Sequence, residues 1–244
     1  MRRTPTPRRR RRRWLDERQR AGKVRPRPVV VRATNAASVS YRPERAAGVW
    51  RKSIDKPGKA GTPDVVLAVE LADVDAKAEG AAAGMQVFQR GPVGAPDSAL
   101  GIAVRRGRAK LSQPGLDAGV PATREGGGIR ARPILHTSIV FAAGTAARWA
   151  RGFVLGHAHP GRAPLARLDY LRRFFATPGA IHVGDLNIGH RWAARLTGRR
   201  VYSAGVLHIA VPRWIPSKRA GVVDVDSDHL ALDVVLWPTP KESK

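Results

Sequence analysis

The stretch AIHVGDLNIGH, residues 180–190, ends an apolar run on two polar side chains. The run stops at Gly184, and Asp185 and Asn187 follow with one residue between them. Such residues favour turns, because their side chains hydrogen-bond to nearby backbone groups. They also supply oxygen ligands to hard cations. On an extended segment both side chains lie on the same side of the chain, so the stretch predicts either a turn or one end of a site.

Four other apolar segments also end on side chains that bind metal ions or phosphate. Strand ends from different parts of a sheet meet at shared edges, and ionised carboxylates there need partners. Hard cations such as Mg²⁺ prefer oxygen ligands of this kind. Taken singly, each residue also fits a helix cap, a surface acid, a loop or a structural histidine. The residues are Asn35 in VVVRATN, Glu70 in VVLAVE, His157 or His159 in FVLGHAHP, and Asp228 and His229 in VDVDSDH.

The order of predicted elements is mixed, with some strands consecutive and others joined by helices. Helices are predicted over residues 41–54, 145–151 and 190–196. Another is predicted over 163–176, where Leu165, Leu168, Leu171 and Phe175 recur at helical spacing. PATREGGGIRARP, residues 121–133, is predicted to be a loop. The mixed order favours an α/β (α+β) fold with packed sheets. Strands are predicted in VVV, VVLAV, MQVFQR, LGIAVRR, ILHTSIVFA, GFVLGHAHP, AIHV, AGVLHIAVP and ALDVVLW.

The chain of 244 residues carries a formal net charge of +25. Residues 1–32 contain 14 basic and 2 acidic residues, which leaves +13 on the remainder. Such a surface attracts nucleic acid through phosphate contacts and counterion release, although a high-GC genome also enriches arginine. Residues 1–27 are predicted to be a disordered Arg/Pro-rich arm. This arm either binds nucleic acid or is a solvated tail. Residues 28–240 are predicted to form a folded domain. The arm's arginine run comprises Arg8, Arg9, Arg10, Arg11, Arg12 and Arg13.

Several classes of protein are disfavoured by what the sequence lacks. Without cysteine there are no disulfides and no thiolate metal sites. The sequence has no apolar run long enough to span a membrane, and no apolar segment follows the basic N-terminus as a secretory signal requires. We therefore expect a cytoplasmic or otherwise intracellular monomer. The Arg- and Ala-rich composition favours a bacterial or phage origin.

Taken together, the motifs resemble the endonuclease/exonuclease/phosphatase superfamily, which has the DNase I-like fold. The resemblance covers residues 29–237, through VVVRATN, PDVVLAVE, GIAVRR, FVLGHAHP, HVGDLN and SDHLALDVVL. It implies a four-layer sandwich, in which two packed mixed β-sheets are flanked by helices. It also implies phosphoester hydrolysis at one edge of the sandwich, dependent on Mg²⁺, for which Mn²⁺ would substitute.

The resemblance also assigns a role to each residue. Asn35 and Glu70 would bind the metal, with Asp228 nearby. Asp185 would orient or deprotonate the attacking water, and Asn187 would hold that water or the scissile phosphate. The remaining assignments are His229 as the phosphate-contacting residue and His157 as the second histidine. Independently of the resemblance, Arg105 and Arg106 are basic side chains that either hold flanking phosphates or are simply solvated.

Two supporting acids that many family members carry are replaced in this sequence. Ala37 stands where an acid often follows the first asparagine. AGVLHIAVP offers Leu207 or His208 where an aspartate usually orients the terminal histidine. The motif set and the basic surface favour a Mg²⁺-dependent nuclease that acts on DNA or RNA, and the two replaced acids leave a weakened site as an alternative. The alternatives are a hydrolase of small phosphoesters and a catalytically weakened nucleic-acid-binding protein.

Overall fold

The computed structural model describes residues 27–36, 43–71, 74–91, 98–112, 114–125, 128–143, 147–158 and 164–237. Within these ranges lie thirteen strands and four helices. The strands are β1 (Val29–Asn35), β2 (Val65–Val69), β3 (Met85–Arg90), β4 (Leu100–Arg105), β5 (Ala109–Leu111), β6 (Gly115–Glu125), β7 (Gly128–Ala143), β8 (Ala147–His157), β9 (Ile181–Asp185), β10 (Arg200–Ala204), β11 (Leu207–Val211), β12 (Ser217–Val223) and β13 (Ala231–Leu236). The helices are α1 (Pro43–Asp55), α2 (Ala76–Ala82), α3 (Pro164–Phe175) and α4 (His190–Thr197).

The strands form two mixed sheets. The first sheet has the order β12-β13-β1-β2-β4-β3, and β1 lies parallel to β2 but antiparallel to β13. The second sheet has the order β10-β11-β9-β8-β7-β5, with β6 also paired to β7. Within it β8 and β9 are parallel, and its other pairs are antiparallel. Because β1 and β2 run in one direction, as do β8 and β9, each sheet presents two neighbouring carboxyl-terminal strand ends at one edge.

The main hydrophobic core lies between the sheets. Alternate residues of both sheets contribute to it, such as Val31 of β1, Leu67 of β2 and Val183 of β9, as the two-residue period of a strand requires. The outer faces are covered by helices. Trp50 of α1 packs on the first sheet and Phe174 of α3 packs on the second. The predicted four-layer sandwich of two packed sheets flanked by helices is confirmed.

A buried ion pair ties β1 to its neighbours on the helix-covered face of the first sheet. The Arg32 guanidinium donates to both Asp233 carboxylate oxygens of β13, at 2.7 and 2.8 Å. It also donates to the carbonyl oxygens of Ser53 and Lys56, at the end of α1, at 3.0 and 2.7 Å. This bidentate geometry satisfies both charges away from water. It fixes the strand that carries Asn35.

Two predictions of local structure are wrong. Residues 121–133, predicted to be a loop, lie mostly in β6 and β7, which pair with each other. The predicted helix over 145–151 is contradicted from Ala147 onwards, because that segment opens β8. The helix containing Leu168 and Leu171 is confirmed, but Leu165 at its start is 81% exposed.

None of the helices in the described ranges is both long and apolar enough to cross a membrane.

Candidate functional site

Three buried polar side chains lie at strand ends where the two sheets meet. Asn35 ends β1, His157 ends β8 and Asp185 ends β9. His157 and Asp185 are direct partners in the parallel register. The residue two positions before each of them belongs to the core between the sheets. Because side chains alternate along a strand, each of the three also faces the space between the sheets. The hydrophobic core therefore gives way at this edge to polar groups, and each of the three is about 1% exposed.

A hydrogen bond of Asn35 joins the two sheets. Its Nδ2 donates to Oε1 of Glu70 at 3.2 Å and to Oδ2 of Asp185, also at 3.2 Å. Both acceptors are carboxylate oxygens, so the amide nitrogen must face them. The carbonyl oxygen Oδ1 is then the atom that Asn35 can offer to a cation. Since Asp185 belongs to the second sheet, this contact closes the edge of the sandwich.

Glu70 reaches this position through an unusual backbone conformation. Its φ is 57°, in the left-handed region that non-glycine residues rarely adopt. Val65, Leu67 and Val69 face the other sheet, so a continued strand would turn Glu70 towards the helices. Instead its carboxylate lies beside Asn35, and its Oε1 is 3.6 Å from Nε2 of His157. Such a conformation costs on the order of 1–3 kcal/mol and is typical of functional positions.

Asp185 and Asn187 form both a turn and part of the site. The Asn187 backbone N–H donates to Oδ1 of Asp185 at 3.2 Å. The Asn187 Nδ2 donates to the same oxygen at 3.1 Å and to the carbonyl of Ala158 at 3.0 Å. The expectation of an extended segment is wrong, because Asn187 has a φ of 49°. The left-handed turn nevertheless brings the two side chains together.

A tyrosine that the sequence analysis did not single out anchors His157. The His157 backbone N–H donates to the hydroxyl of Tyr170 in α3 at 3.0 Å, and this hydroxyl donates to the carbonyl of Pro133 at 3.1 Å. Burial raises the pKa of Tyr170, so its hydroxyl stays protonated. In sequence Tyr170 reads as one more core position of an amphipathic helix, and no local signal marks its role. His159 lies outside the described residues.

The loop after β12 brings the last two predicted residues to the same edge. The Ser227 hydroxyl donates to the carbonyl of Asn35 at 2.9 Å and accepts from the His229 N–H at 3.3 Å. Nε2 of His229 lies 3.8 Å from Oδ2 of Asp185 and 3.9 Å from Oδ2 of Asp228. Both separations exceed hydrogen-bond length. The imidazole is 31% exposed and faces Asp185 across a gap.

Leu207 and His208, the two residues that stand where an orienting aspartate is expected, lie on opposite faces of β11. Leu207 pairs with Asp185 in the antiparallel register and belongs to the core between the sheets. His208 points to the opposite face, where its Nε2 donates to the Ile188 carbonyl at 2.8 Å and its Nδ1 contacts Ser203 Oγ at 2.7 Å. Burial lowers the pKa of His208. Leu207 therefore occupies the position beside Asp185, while Ala37 lies outside the described residues.

The predicted phosphate-binding arginines are not at this edge. Arg105 ends β4 beside the start of β2, since Val104 pairs with Val65, whereas Glu70 follows the other end of β2. Its guanidinium donates to the carbonyls of Pro63 and Ile54, at 3.1 and 3.2 Å. Arg106 follows it and is exposed. Arg8, Arg9, Arg10, Arg11, Arg12 and Arg13 lie outside the described residues.

We refer to the converging residues as the strand-end site. Its oxygen donors suit a hard cation, because Mg²⁺ binds through one or two carboxylates and keeps several waters. Among the described residues, no three His, Asp or Glu side chains come close enough to hold an ion by themselves. The strand-end site comprises Asn35, Glu70, His157, Asp185, Asn187, Asp228 and His229.

Comparison with solved structures identifies the fold. No protein-family profile and no curated protein matches the sequence. The human Nocturnin catalytic domain is similar in structure, with a TM-score of 0.60 and 14% identity over 88% of this chain and 94% of that one. An endonuclease/exonuclease/phosphatase family protein from Bacteroides thetaiotaomicron matches with a TM-score of 0.58 and 13% identity, over 88% and 99% of the two chains.

A third similar structure is ANGEL2, described as a 2',3'-cyclic phosphatase, in complex with adenosine-2',3'-vanadate. Its TM-score is 0.55 and its identity 11%, over 86% of this chain and 96% of that one. The three matches each cover most of both chains, so they concern the whole sandwich rather than one motif. The strand order, the packed sheets and these similarities agree with the resemblance seen in the sequence. The chain has the fold of the endonuclease/exonuclease/phosphatase superfamily.

Proposed function

We propose that the chain is a divalent-metal-dependent phosphodiester hydrolase that acts on nucleic acid. The observation that carries this proposal is the convergence of Asn35, Glu70 and Asp185 across two sheets. His229 faces the same group from the loop after β12. ANGEL2, which has a similar fold, is described as a 2',3'-cyclic phosphatase. That description supports phosphoester chemistry for this chain as well.

In the proposed mechanism, Asp185 orients and deprotonates the attacking water. Its Oδ1 already accepts two hydrogen bonds from Asn187, which hold the carboxylate in place. Its Oδ2 faces the His229 imidazole at 3.8 Å, a gap that a water or a phosphate oxygen can bridge. His229 then donates a proton to the leaving oxygen as its bond to phosphorus breaks, while Asp185 keeps the proton taken from the water.

Asn187 contributes an acceptor rather than a donor. Both protons of its Nδ2 are used, by Asp185 and by the Ala158 carbonyl. Its Oδ1 is therefore the atom that receives a hydrogen bond from the attacking water. Of the two roles that the sequence leaves open for Asn187, holding the water fits this geometry better than holding the phosphate.

Glu70 and Asn35 would hold the metal ion, with Asp228 alongside. A bound Mg²⁺ would neutralise charge on the phosphate and on the leaving group. His157, near Glu70, would add positive charge close to the phosphate when protonated. The preference for nucleic acid is argued from the net charge of +25, since a polyanion gains from many phosphate contacts.

The test compares Asp185→Asn with the matched surface variant Asp169→Asn. Asp169 is a half-exposed acid of α3 that pairs with Arg173. With Mg²⁺, wild type and Asp169→Asn should cleave plasmid and single-stranded DNA. EDTA should stop cleavage, and Asp185→Asn should lower the rate by roughly 10²- to 10⁴-fold. Equal cleavage by Asp185→Asn and wild type would contradict the proposal. Faster turnover of a small aryl phosphodiester than of DNA would support the small-substrate alternative.

A further inference from the structure

An apolar groove lies between α3 and α4, next to the strand-end site. Its volume is 470 Å³, and Asn187 is both one of its lining residues and a member of the strand-end site. Trp192 of α4 forms one wall and is 60% exposed. Leu196, which also lines the groove, is 37% exposed, so the exposed apolar surface here is a contiguous patch rather than one isolated side chain. We name this feature the tryptophan groove; it is lined by Leu168, Leu171, Ile188, Trp192 and Leu196, with Arg167 at its rim.

The rim of the groove is positively charged. The sequence of α4, HRWAARLT, contains Arg191 and Arg195 and no acid. The Arg195 guanidinium lies 5.9 Å from the ring centroid of Trp192. Arg167 approaches from α3, whose acid Asp169 is already paired with Arg173 at 3.0 Å. An apolar floor with a cationic rim fits a ligand that has both a flat ring and a phosphate.

From this geometry we infer that the tryptophan groove binds an unpaired nucleobase of a single-stranded substrate, stacked on Trp192. Base–aromatic stacking combined with basic groups is how proteins bind single strands without sequence preference. A base stacked inside a duplex cannot present its face to a side chain, so the groove would favour single strands or frayed ends. The inference rests on the proposed function, because it places the neighbouring phosphodiester at Asn187 and Asp185.

The test measures binding in EDTA, so that no hydrolysis is required. Wild type, Trp192→Ala, Trp192→Phe and Trp214→Ala are titrated with a single-stranded dT12, a 12-base-pair duplex and an abasic 12-mer. Trp214 is the matched control, because it is 56% exposed and lies near Gly179, at the opposite end of β9 from Asp185. Salt near 200 mM weakens the sequence-independent phosphate contacts that all variants share.

The expected result is a loss specific to bases in a single strand. Trp192→Ala should bind dT12 roughly 5- to 100-fold more weakly than wild type. Trp192→Phe should retain most of the affinity, and Trp214→Ala should retain all of it. The duplex and the abasic strand should bind Trp192→Ala and wild type equally.

Two outcomes would overturn the inference. One is equal dT12 affinity for wild type and Trp192→Ala, which would assign the groove to another occupant such as a protein. The other is an equal loss for all three ligands, which would make Trp192 a structural residue. Cleavage that depends on Asp185 together with either outcome would leave the proposed function standing. Selective dT12 binding without any cleavage would support the groove and contradict the hydrolase.

Discussion

At the scale of single residues, both carboxylate oxygens of Asp185 are held by hydrogen bonds before any substrate arrives, and Oδ2 keeps one acceptor site open. One carboxylate oxygen accepts two hydrogen bonds from Asn187, and the other accepts one from Asn35. Buried carboxylates need such partners to remain charged away from water. The turn at Asn187 is therefore part of the apparatus that holds the proposed general base.

The backbone and side chain of Asn187 can be separated by substitution. Asn187→Gly and Asn187→Ala both remove the amide, and glycine alone adopts the φ of 49° without cost. Both variants should hydrolyse DNA roughly 100-fold more slowly. Asn187→Ala should in addition be about 1 kcal/mol less stable than Asn187→Gly. Urea unfolding and the cleavage rate measure the two effects. Full activity of Asn187→Gly would show that the side chain has no role in hydrolysis.

Several side chains that lie together in the strand-end site can be picked out in the sequence, but their geometry cannot. Asp185 and Asn35 are visible because a buried apolar run ends on each of them. The left-handed backbone at Glu70 leaves no local signal, since glutamate is not a residue that favours it. The side chains that its carboxylate contacts, Asn35 and His157, are distant in sequence. The distances within the site are therefore beyond what the sequence can give.

At the scale of elements, strands with continuous apolar runs can be predicted from the sequence. The long strands β6, β7 and β8, which pair in succession in the second sheet, cannot be predicted in full. β2 and β9 are buried along their whole lengths and read clearly as strands. β6 is rich in Gly, Pro and charged residues, and β8 opens on an Ala-rich segment that locally favours a helix. Ten residue pairs between β7 and β8 override that propensity. The propensity of a segment taken alone does not show which strand it pairs with.

The contact between α3 and β8 yields a prediction about stability. Tyr170→Phe leaves the His157 N–H and the Pro133 carbonyl without their shared partner in a buried position. It should cost about 1–3 kcal/mol in the free energy of unfolding. The matched control is Tyr202→Phe, whose hydroxyl bonds to Ser217 Oγ at 3.0 Å in a half-buried position. That change should cost less than about 1 kcal/mol. Denaturant unfolding compares the two, and equal losses would contradict the anchoring role of Tyr170.

At the scale of the whole molecule, charge is distributed over both the predicted arm and the remainder of the chain. Residues 1–27, with 13 basic and 2 acidic residues, contribute +11, and the rest of the chain contributes +14. Counterion release makes binding to a polyanion weaken as salt rises, with a slope set by the number of phosphates contacted. The two parts should therefore contribute separately to affinity and to its salt dependence.

Deleting residues 1–27 tests the role of the arm. The truncated chain should bind DNA more weakly, and its affinity should fall less steeply with salt, because fewer phosphates are contacted. The rate of hydrolysis at saturating DNA should not change, since the strand-end site lies within residues 35–229. A salt titration of binding, with the full chain as reference, makes this measurement. An unchanged slope would show that the arm is a solvated tail.

The hydrogen bond between Asn35 and Asp185 links ligand binding at the strand-end site to the unfolding of the whole chain. The donor belongs to the first sheet and the acceptor to the second, so this pocket exists only while the sandwich is assembled. A ligand held there binds the native chain and not the separated sheets. By mass action, a ligand at 100 times its dissociation constant would raise the unfolding free energy by about 2.7 kcal/mol. A ligand bound at this edge therefore stabilises the whole folded chain reversibly, and a rise in the melting temperature reports that a ligand is bound.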